Sequence, residues 1–285
     1  MCLIRLYYKY ILIIMSIIIC VALVWAFQYQ SWWRDDVSIW VFDVGQGDAI
    51  FIDADVDALV DGGPTNIIIE KLSLILPFWD RSIDLIVNTH PHADHLSGLI
   101  DVLSRYQVDQ VWTTGQVYQT GASDAFASMS QQINKIVLAG SSIKLQENVT
   151  LDVFWPSTSL QGKVLEDPND GSIVMLLTCF NSRILLTGDL GAKQSELIQA
   201  AIGDIDVLKV GHHGSATSLS TEFLEVINPE VAIISVGEND YGHPSTSVLD
   251  RLESIGVDTY RTDINGDVRV ICSEDGYQVT IYKQQ

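Results

Sequence analysis

Asn88-Thr89-His90-Pro91-His92-Ala93-Asp94-His95 closes an apolar run, Leu85–Asn88, that reads as a buried strand. Three of the six histidines in the 285-residue chain fall inside this one octapeptide. In H-x-H, two residues apart, both imidazoles point the same way and can grip one ion. The Asp-His pair that follows reaches a second ion a few ångström away. Chance assembly of H-x-H-x-D-H is improbable in a chain so poor in histidine.

The other three histidines repeat the placement. His212 and His213 directly follow the apolar Val207-Leu208-Lys209-Val210-Gly211, and His243 lies in Tyr241-Gly242-His243-Pro244. Asp189 ends the strand-like Leu186-Thr187-Gly188-Asp189 and is placed to bridge two ions as a carboxylate. Histidines and carboxylates gathered on strand-end loops are how a fold aims ligands at one point. Nitrogen and carboxylate donors without thiolates suit zinc, manganese or iron. The four cysteines, Cys2, Cys20, Cys179 and Cys272, form no C-x-x-C pair, which excludes a cysteine zinc site and a disulfide framework.

From Val37 onward, short β-rich runs alternate with helical stretches, and several runs, such as Ile173–Cys179 and Val231–Ser235, are apolar throughout as central strands are. The helical stretches are Asn66–Leu76, Ser97–Tyr106, Ser123–Leu138, Ala192–Ile202, Ser220–Val226 and Ser245–Ile255, with capping residues at or near several starts. This mixture predicts a single layered α/β domain over residues 37–285. Pro156–Gly171 is the longest expected loop.

Residues 11–27 carry no charge and one polar side chain, Ser16, and reach roughly 25 Å as a helix against a ~30 Å hydrocarbon core. Tyr7, Tyr8 and Tyr10 on one side and Tyr29, Trp32 and Trp33 on the other extend the run with interfacial aromatics. Arg5 and Lys9 precede it, so the positive-inside rule predicts a cytoplasmic N-terminus (1–10), a transmembrane anchor (11–27), a linker (28–36) and an extracytoplasmic domain. A cleaved signal peptide and a buried helix are the competing readings, and no A-x-A-like cleavage site follows the run.

The domain resembles the metallo-β-lactamase superfamily, which uses H-x-H-x-D-H with a later aspartate and later histidines to hold one or two metals. More narrowly it resembles the metallo-β-lactamase-like domain of the DNA-uptake channel protein ComEC and its stand-alone relatives. The matching pieces are Phe42–Ala49 (FDVGQGDA), Asp61-Gly62-Gly63, Asn169–Ser172, Leu186–Asp189, Leu208–Ser215 (LKVGHHGS), Ser235-Val236-Gly237, Tyr241–Pro244 and Tyr260–Asp263. Two departures stand out. ComEC is a polytopic channel, whereas this chain has one hydrophobic segment; and many ComEC-like domains carry Asp where this chain has His92. No histidine occurs between His95 and Asp189, where many members place a further ligand, which leaves Asn169, Asp170 or water to fill the place.

The resemblance implies a four-layer αββα fold and two divalent metal ions, zinc or manganese. His90, His92 and a bridging Asp189 would hold the first, and Asp94, His95, Asp189 and one of His212 or His213 the second, with His213 favoured. Ions ~3.5–4 Å apart would share a hydroxide as nucleophile. Asp94 and His243 are the catalytic candidates, His243 by protonating a leaving oxygen or contacting a phosphate, with a satisfied loop histidine as its plainer reading. Lys209 reads either as an aid to phosphate binding or as an ordinary strand-end lysine, Asp43 and Asp61 as carboxylates that orient ligand loops or as turn residues, and Asn169 and Ser172 as turn residues or site residues.

The resemblance points to a phosphodiesterase or nuclease linked to DNA uptake, with single-stranded DNA or another phosphodiester as substrate and a separate channel protein as partner. The charge points the other way. The chain carries 36 Asp and Glu against 16 Lys and Arg, net −20, and leaving out the two N-terminal basic residues the remainder stands near −22. Such a field disfavours nonspecific nucleic-acid binding, and no basic stripe appears. Hydrolysis of a lactone, thioester, β-lactam or wall phosphodiester, and a non-catalytic module of an uptake channel, stand as the alternatives.

Overall fold

The structure, a computed structural model, describes residues 9–22 and 36–283. The chain divides into two units, Met1–Asp36 and Val37–Gln285. In the first, residues 9–22 form helix α1, along which Leu12, Ile13, Ile14 and Ile17 are exposed. Residues 23–27 of the expected anchor and 28–35 of the linker lie outside the described residues. Among the described residues no helix is long and apolar enough to cross a membrane.

The second unit opens with β1 (Val37–Val41), β2 (Ile50–Asp53), β3 (Ala58–Val60), α2 (Ile67–Ile75), β4 (Ser82–Val87), α3 (Ala93–Arg105), β5 (Gln107–Thr113), α4 (Gly121–Ser130) and β6 (Asn134–Ile136). It continues with β7 (Ser142–Gln146), β8 (Val149–Trp155), β9 (Val174–Cys179), β10 (Ser182–Leu186), α5 (Ala192–Ile202), β11 (Val207–Lys209), α6 (Thr221–Ile227), β12 (Val231–Ile234), α7 (Thr246–Ser254) and β13 (Asp258–Arg261). A short α8 (Thr262–Asn265) leads to the closing hairpin β14 (Asp267–Ser273) and β15 (Gly276–Tyr282). One sheet runs β15-β14-β1-β2-β3-β4-β5-β6 and the other β13-β12-β11-β10-β9-β8-β7. Both are mixed: β3 to β6 and β10 to β13 are parallel, and the remaining pairings are antiparallel.

Alternation along the strands explains their unbroken apolar runs. Leu85 and Val87 of β4 face a core shared with Met175, Leu177 and Ile184 of the second sheet, while Ile86 between them faces a separate core with Leu72 of α2, Leu99 of α3 and Phe126 of α4. Leu185, Leu208 and Ala232 form a third core with Ile198 of α5, Phe223 of α6 and Val248 of α7. Cys179 and Cys272 are packing residues of the inter-sheet core. Two sheets face to face, each covered outside by helices, place the carboxyl ends of β3 and β4 and of β10, β11 and β12 where ligand loops can converge.

Three local expectations are corrected. Helix α3 starts at Ala93, four residues before Ser97, because His92 is already extended (φ −69°, ψ 148°) and serves as its cap, so Asp94 and His95 ride on the first helical turn. There the helix dipole favours the Asp94 carboxylate. The expected helix Ser123–Leu138 ends at Ser130, and Asn134–Ile136 instead pairs in parallel with β5, whose outer edge would otherwise be open. Strand β7 was not expected, since Ile143 and Leu145 give it only two apolar positions. Pro156–Gly171 holds no strand, only a 3₁₀ turn at Pro168–Gly171.

The turn between β2 and β3 crowds carboxylates. Asp57, whose amide donates to Asp84 Oδ2 at 2.8 Å, is pushed up to about 8 by burial and by repulsion from Asp53, Asp84 and Asp80. The folded state keeps a proton that an unfolded carboxyl, near ~4, releases; this stability is present in full below pH ~4 and is lost as pH rises through about 8. Asp57→Asn should therefore stabilise the protein more at pH 8.5 than at pH 5, by on the order of 1–2 kcal/mol once solvent screening is allowed for. Urea midpoints of the two proteins at both pH values measure this, and an equal difference at each pH would contradict it.

Candidate metal centre

Asp61 ties the first group of ligands together. It follows β3 in a left-handed conformation (φ 58°), its amide donating to Val87 O at 2.8 Å. Its carboxylate accepts the Thr89 amide at 2.8 Å, the Thr89 hydroxyl at 2.6 Å and His95 Nδ1 at 2.8 Å. The ends of β3 and β4 and the first turn of α3 are thus pinned to one buried side chain. Helix α3 lies flush on this loop: a Cβ at Gly98 would stand 1.9 Å from Gly62 O. Burial raises the Asp61 pKa from its ordinary value, although His95 opposes it.

With Nδ1 committed to Asp61, His95 directs Nε2 to the opposite side, 3.3 Å from Asp189 Oδ2 and 4.0 Å from Asp94 Oδ2. His213 is set in the same way by the carbonyl of Ser235, 2.9 Å from its Nδ1. A carbonyl can only accept, so Nδ1 carries the proton and Nε2 is free to act as a donor atom. That Nε2 lies 3.3 Å from Asp94 Oδ2 and 3.4 Å from Asp189 Oδ2. Both buried Nε2 atoms lack a hydrogen-bond partner. His90 Nε2 is 4.0 Å from Asp189 Oδ2 and 3.1 Å from His92 Nδ1, while Thr89 Oγ1 sits 3.1 Å from His90 Nδ1.

Asp189 Oδ2 is therefore the point on which three imidazoles converge. Its backbone amide donates to Ser172 Oγ at 3.2 Å, and its Oδ1 accepts the His212 amide at 3.1 Å. Ligand atoms of His90, His95 and Asp189, and again of Asp94, His95 and His213, lie within 4.8 Å of one another. Burial disfavours charge on His95, yet the Asp189 and Asp61 carboxylates hold its pKa well above the usual range. Burial would also raise Asp189, but His213 and His95 keep it well below the usual carboxylate range. Protons on the histidines do here what cations would do. Unpartnered buried nitrogens, an all-nitrogen-and-oxygen donor set and surplus carboxylate charge all fit divalent ions.

His90, His92, Asp94, His95, Asp189 and His213 are brought together; His212 and His243 are not. His212 and His213 both adopt left-handed backbone (φ 47° and 52°), which turns adjacent rings apart. His213 points inward, while His212 Nε2 stands 3.5 Å from Asn169 Nδ2 and its ring 5.4 Å from that of His243. His243 is half-buried on a loop clamped by Asn239, which accepts its amide at 3.0 Å and donates to its carbonyl at 2.9 Å. Asn169 is buried beside His212 with its Oδ1 unpartnered. Asp170 instead offers its carbonyl to Trp155 Nε1 at 2.8 Å. Asp43 accepts the Gly45 amide at 3.2 Å as a turn residue.

Lys209 is not at a phosphate-binding surface. Its side chain is 1% exposed and lies beneath the histidines, paired with Asp48 Oδ2, 3.2 Å from Gly188 O and 3.9 Å from Asp189 Oδ1. Asp48 in turn approaches His213 Nδ1 at 3.6 Å and His95 Nδ1 at 3.8 Å. Asp48, Thr89, Ser235 and Tyr118, whose ring is 5.3 Å from that of His92, are site residues to which sequence reading gave no role. Asp48, Thr89 and Ser235 lie inside the motif pieces quoted above, while Tyr118 gave no signal.

A family model for the metallo-beta-lactamase superfamily matches residues 42–238, and the chain belongs to that superfamily. It is similar to recombination protein 2 of Haemophilus influenzae (29% identity over 209 residues; 72% of this chain, 25% of the relative). It is also similar to ComE operon protein 3 of Bacillus subtilis (28% over 263 residues; 80% and 32%) and to competence protein ComA of Neisseria gonorrhoeae (27% over 242 residues; 82% and 32%). The chain spans a quarter to a third of the length of these curated relatives. Among solved structures, the fold matches Igni18, a metallo hydrolase of Ignicoccus hospitalis (TM-score 0.53, 14% identity, 88% of this chain and 100% of that one). It also matches zinc-bound PqqB of Methylobacterium extorquens (TM-score 0.52, 13% identity, 76% and 85%).

Removing the Lys209 ammonium leaves Asp48 buried without its cation. Lys209→Met should cost about 3–5 kcal/mol, seen as a lowered thermal midpoint in the presence of chelator. Asp48→Asn added to that variant should recover most of the loss. A double variant no more stable than the single one would show that the pair is not what Lys209 contributes.

Proposed function

We propose that this chain is a metal-dependent hydrolase of phosphodiesters, a nuclease of the ComEC-like type linked to DNA uptake. The observation that carries the metal-dependent reading is the aim of three imidazoles at Asp189 Oδ2, two of them through buried Nε2 atoms that stand 3.3 and 3.4 Å from it without forming a hydrogen bond. The names of the similar competence and recombination proteins favour the phosphodiester substrate. His90, His92 and Asp189 would hold one ion, and Asp94, His95, His213 and Asp189 the other. Zinc or manganese there would supply Lewis-acid charge and lower the pKa of a bound water. The chain's own residues do the positioning. Asp61 and Ser235 fix the tautomers of His95 and His213, and Ser172 and the His212 amide hold Asp189 still. His243, beside His212 and outside the ligand cluster, is the residue we assign to the scissile phosphate or its leaving oxygen.

We further propose that residues 11–27 anchor the chain with its hydrolase domain on the extracytoplasmic side, beside a separate channel protein. The apolar run with its flanking basic residues supports the anchor.

The test uses the full chain in mild detergent, stripped of metal and reloaded with Mn²⁺ or Zn²⁺, on methyl p-nitrophenyl phosphate and on single-stranded DNA. Metal-dependent cleavage of both is expected, falling to background in Asp189→Ala. Bound metal, measured by elemental analysis, should fall in His213→Ala and hold in His212→Ala. Two bound ions with neither substrate cleaved would overturn the phosphodiesterase reading in favour of another ester or a non-catalytic module. Loss of metal in His212→Ala rather than His213→Ala would reverse the ligand assignment.

A further inference from the structure

A cavity of about 370 Å³ opens beside the ligand cluster, between the loop that follows β5, the helix α4 and the His90-Pro91 turn. Its size falls within the range of small-molecule sites, roughly 300–1,000 Å³. We propose that this cavity seats a nucleobase of the substrate strand, next to the phosphate that the metal centre cleaves. The proposal rests on the nuclease reading and adds to it the place where the substrate's base is held.

Three observations carry it. The first is chemical. Gln116, Asn134, Gln161 and Thr114 line the cavity, and Asp124 is its one carboxylate among the described residues. Gln116 Nε2 donates to Pro168 O at 3.2 Å and Asn134 Oδ1 accepts the Thr113 hydroxyl at 3.1 Å, which leaves Gln116 Oε1, Asn134 Nδ2 and the Gln161 amide to meet a ligand. Paired donors and acceptors on neutral amides match the edges of bases, which carry both. The second is positional. Tyr118 lines the cavity and also packs edge-on against His92, ring centroids 5.3 Å apart, so one aromatic side chain borders both the cavity and a proposed ligand. A base lying against Tyr118 keeps its own phosphate within reach of the centre, as one nucleotide requires, and base–aromatic stacking tolerates any sequence. The third is electrostatic. With a net charge of −20, the protein offers a polyanion no long-range attraction, so affinity has to come from short-range contacts at the site, and this cavity, lined by His90 and, apart from Asp124, by uncharged polar and apolar side chains, offers them.

Ala127, on the α4 side of the cavity, is exposed at the surface and gives a way to fill it: Ala127→Trp. Two oligomers of equal length and phosphate charge are compared, one of thymidine and one with abasic sugars throughout. Wild type should prefer the thymidine oligomer by about 10-fold or more in kcat/KM, and both Ala127→Trp and Tyr118→Ala should bring that ratio close to one. In parallel, calorimetry on the metal-loaded full chain measures thymidine 5′-phosphate, deoxyribose 5-phosphate and N-acetylglucosamine 1-phosphate. The nucleotide should bind at least about 10-fold more tightly than either sugar phosphate, and Ala127→Trp should abolish the difference. Equal handling of thymidine and abasic oligomers, or a preference for the amino-sugar phosphate, would overturn the proposal. If no phosphodiester is cleaved at all, the hydrolase reading fails on its own, and the binding arm still decides what the cavity holds.

Discussion

Three carboxylates, Asp48, Asp61 and Asp189, are each no more than 2% exposed and share one small region at the strand ends. Buried negative charge on that scale has to be matched by positive charge or the domain does not fold. The rest of the site is a set of answers to that constraint. Lys209 answers Asp48 from below, and His95 Nδ1 answers Asp61 from the side. Asp189 meets the Lys209 ammonium on its Oδ1 side, at 3.9 Å; what faces its Oδ2 are histidine nitrogens, whose charge depends on protons or on ions held between them. The Oδ2 side of Asp189 is also the proposed metal position.

The scaffold keeps this balance in register by drawing the ligands from several neighbouring strand ends. Parallel β3 and β4 deliver Asp61 and the His90–His95 segment; parallel β10, β11 and β12 deliver Asp189, His213 and Ser235. The loops are too short to wander. Asp61, His212 and His213 sit in left-handed backbone, a conformation costly for residues with a Cβ and kept where the surroundings over-determine it. At His212 and His213 that cost has a visible return: two adjacent identical side chains are sent in different directions, one into the cluster and one toward Asn169 and His243. Ions bound between groups so far apart in sequence, from Asp94 to His213, would couple metal affinity to folding of the whole domain.

Much of this was legible in the sequence because it depends on spacing alone. H-x-H-x-D-H, a lone aspartate after Leu186-Thr187-Gly188 and a histidine pair after an apolar strand needed no coordinates to be read as one constellation. Unbroken apolar runs likewise read as strands buried on both faces. What escaped depends on three-dimensional packing. Nothing in Val207-Leu208-Lys209-Val210 reveals that the lysine points under the site, since strand-end lysines are ordinarily solvated. The inward turn of His213 over His212 rests on positive φ values that propensity does not foresee. Residues Gln131–Leu138 read as the end of a helix, and the open edge of β5 drew Asn134–Ile136 into the sheet instead.

The acidic exterior and the proposed anionic substrate are reconciled by where the positive charge resides. Without ions, Asp94, Asp48, Asp61 and Asp189 face Lys209 and whatever protons the histidines hold, so the centre is no better disposed to a phosphate than the surface around it. Two divalent ions bound there would reverse the sign locally while leaving the exterior negative. The field would then favour a phosphate that has already reached the centre and repel one that has not. A strand held by a partner, or presented one nucleotide at a time, meets that requirement better than free duplex diffusing in from solution. The charge distribution therefore argues for a hydrolase whose substrate is delivered to it, in keeping with the proposed place beside an uptake channel.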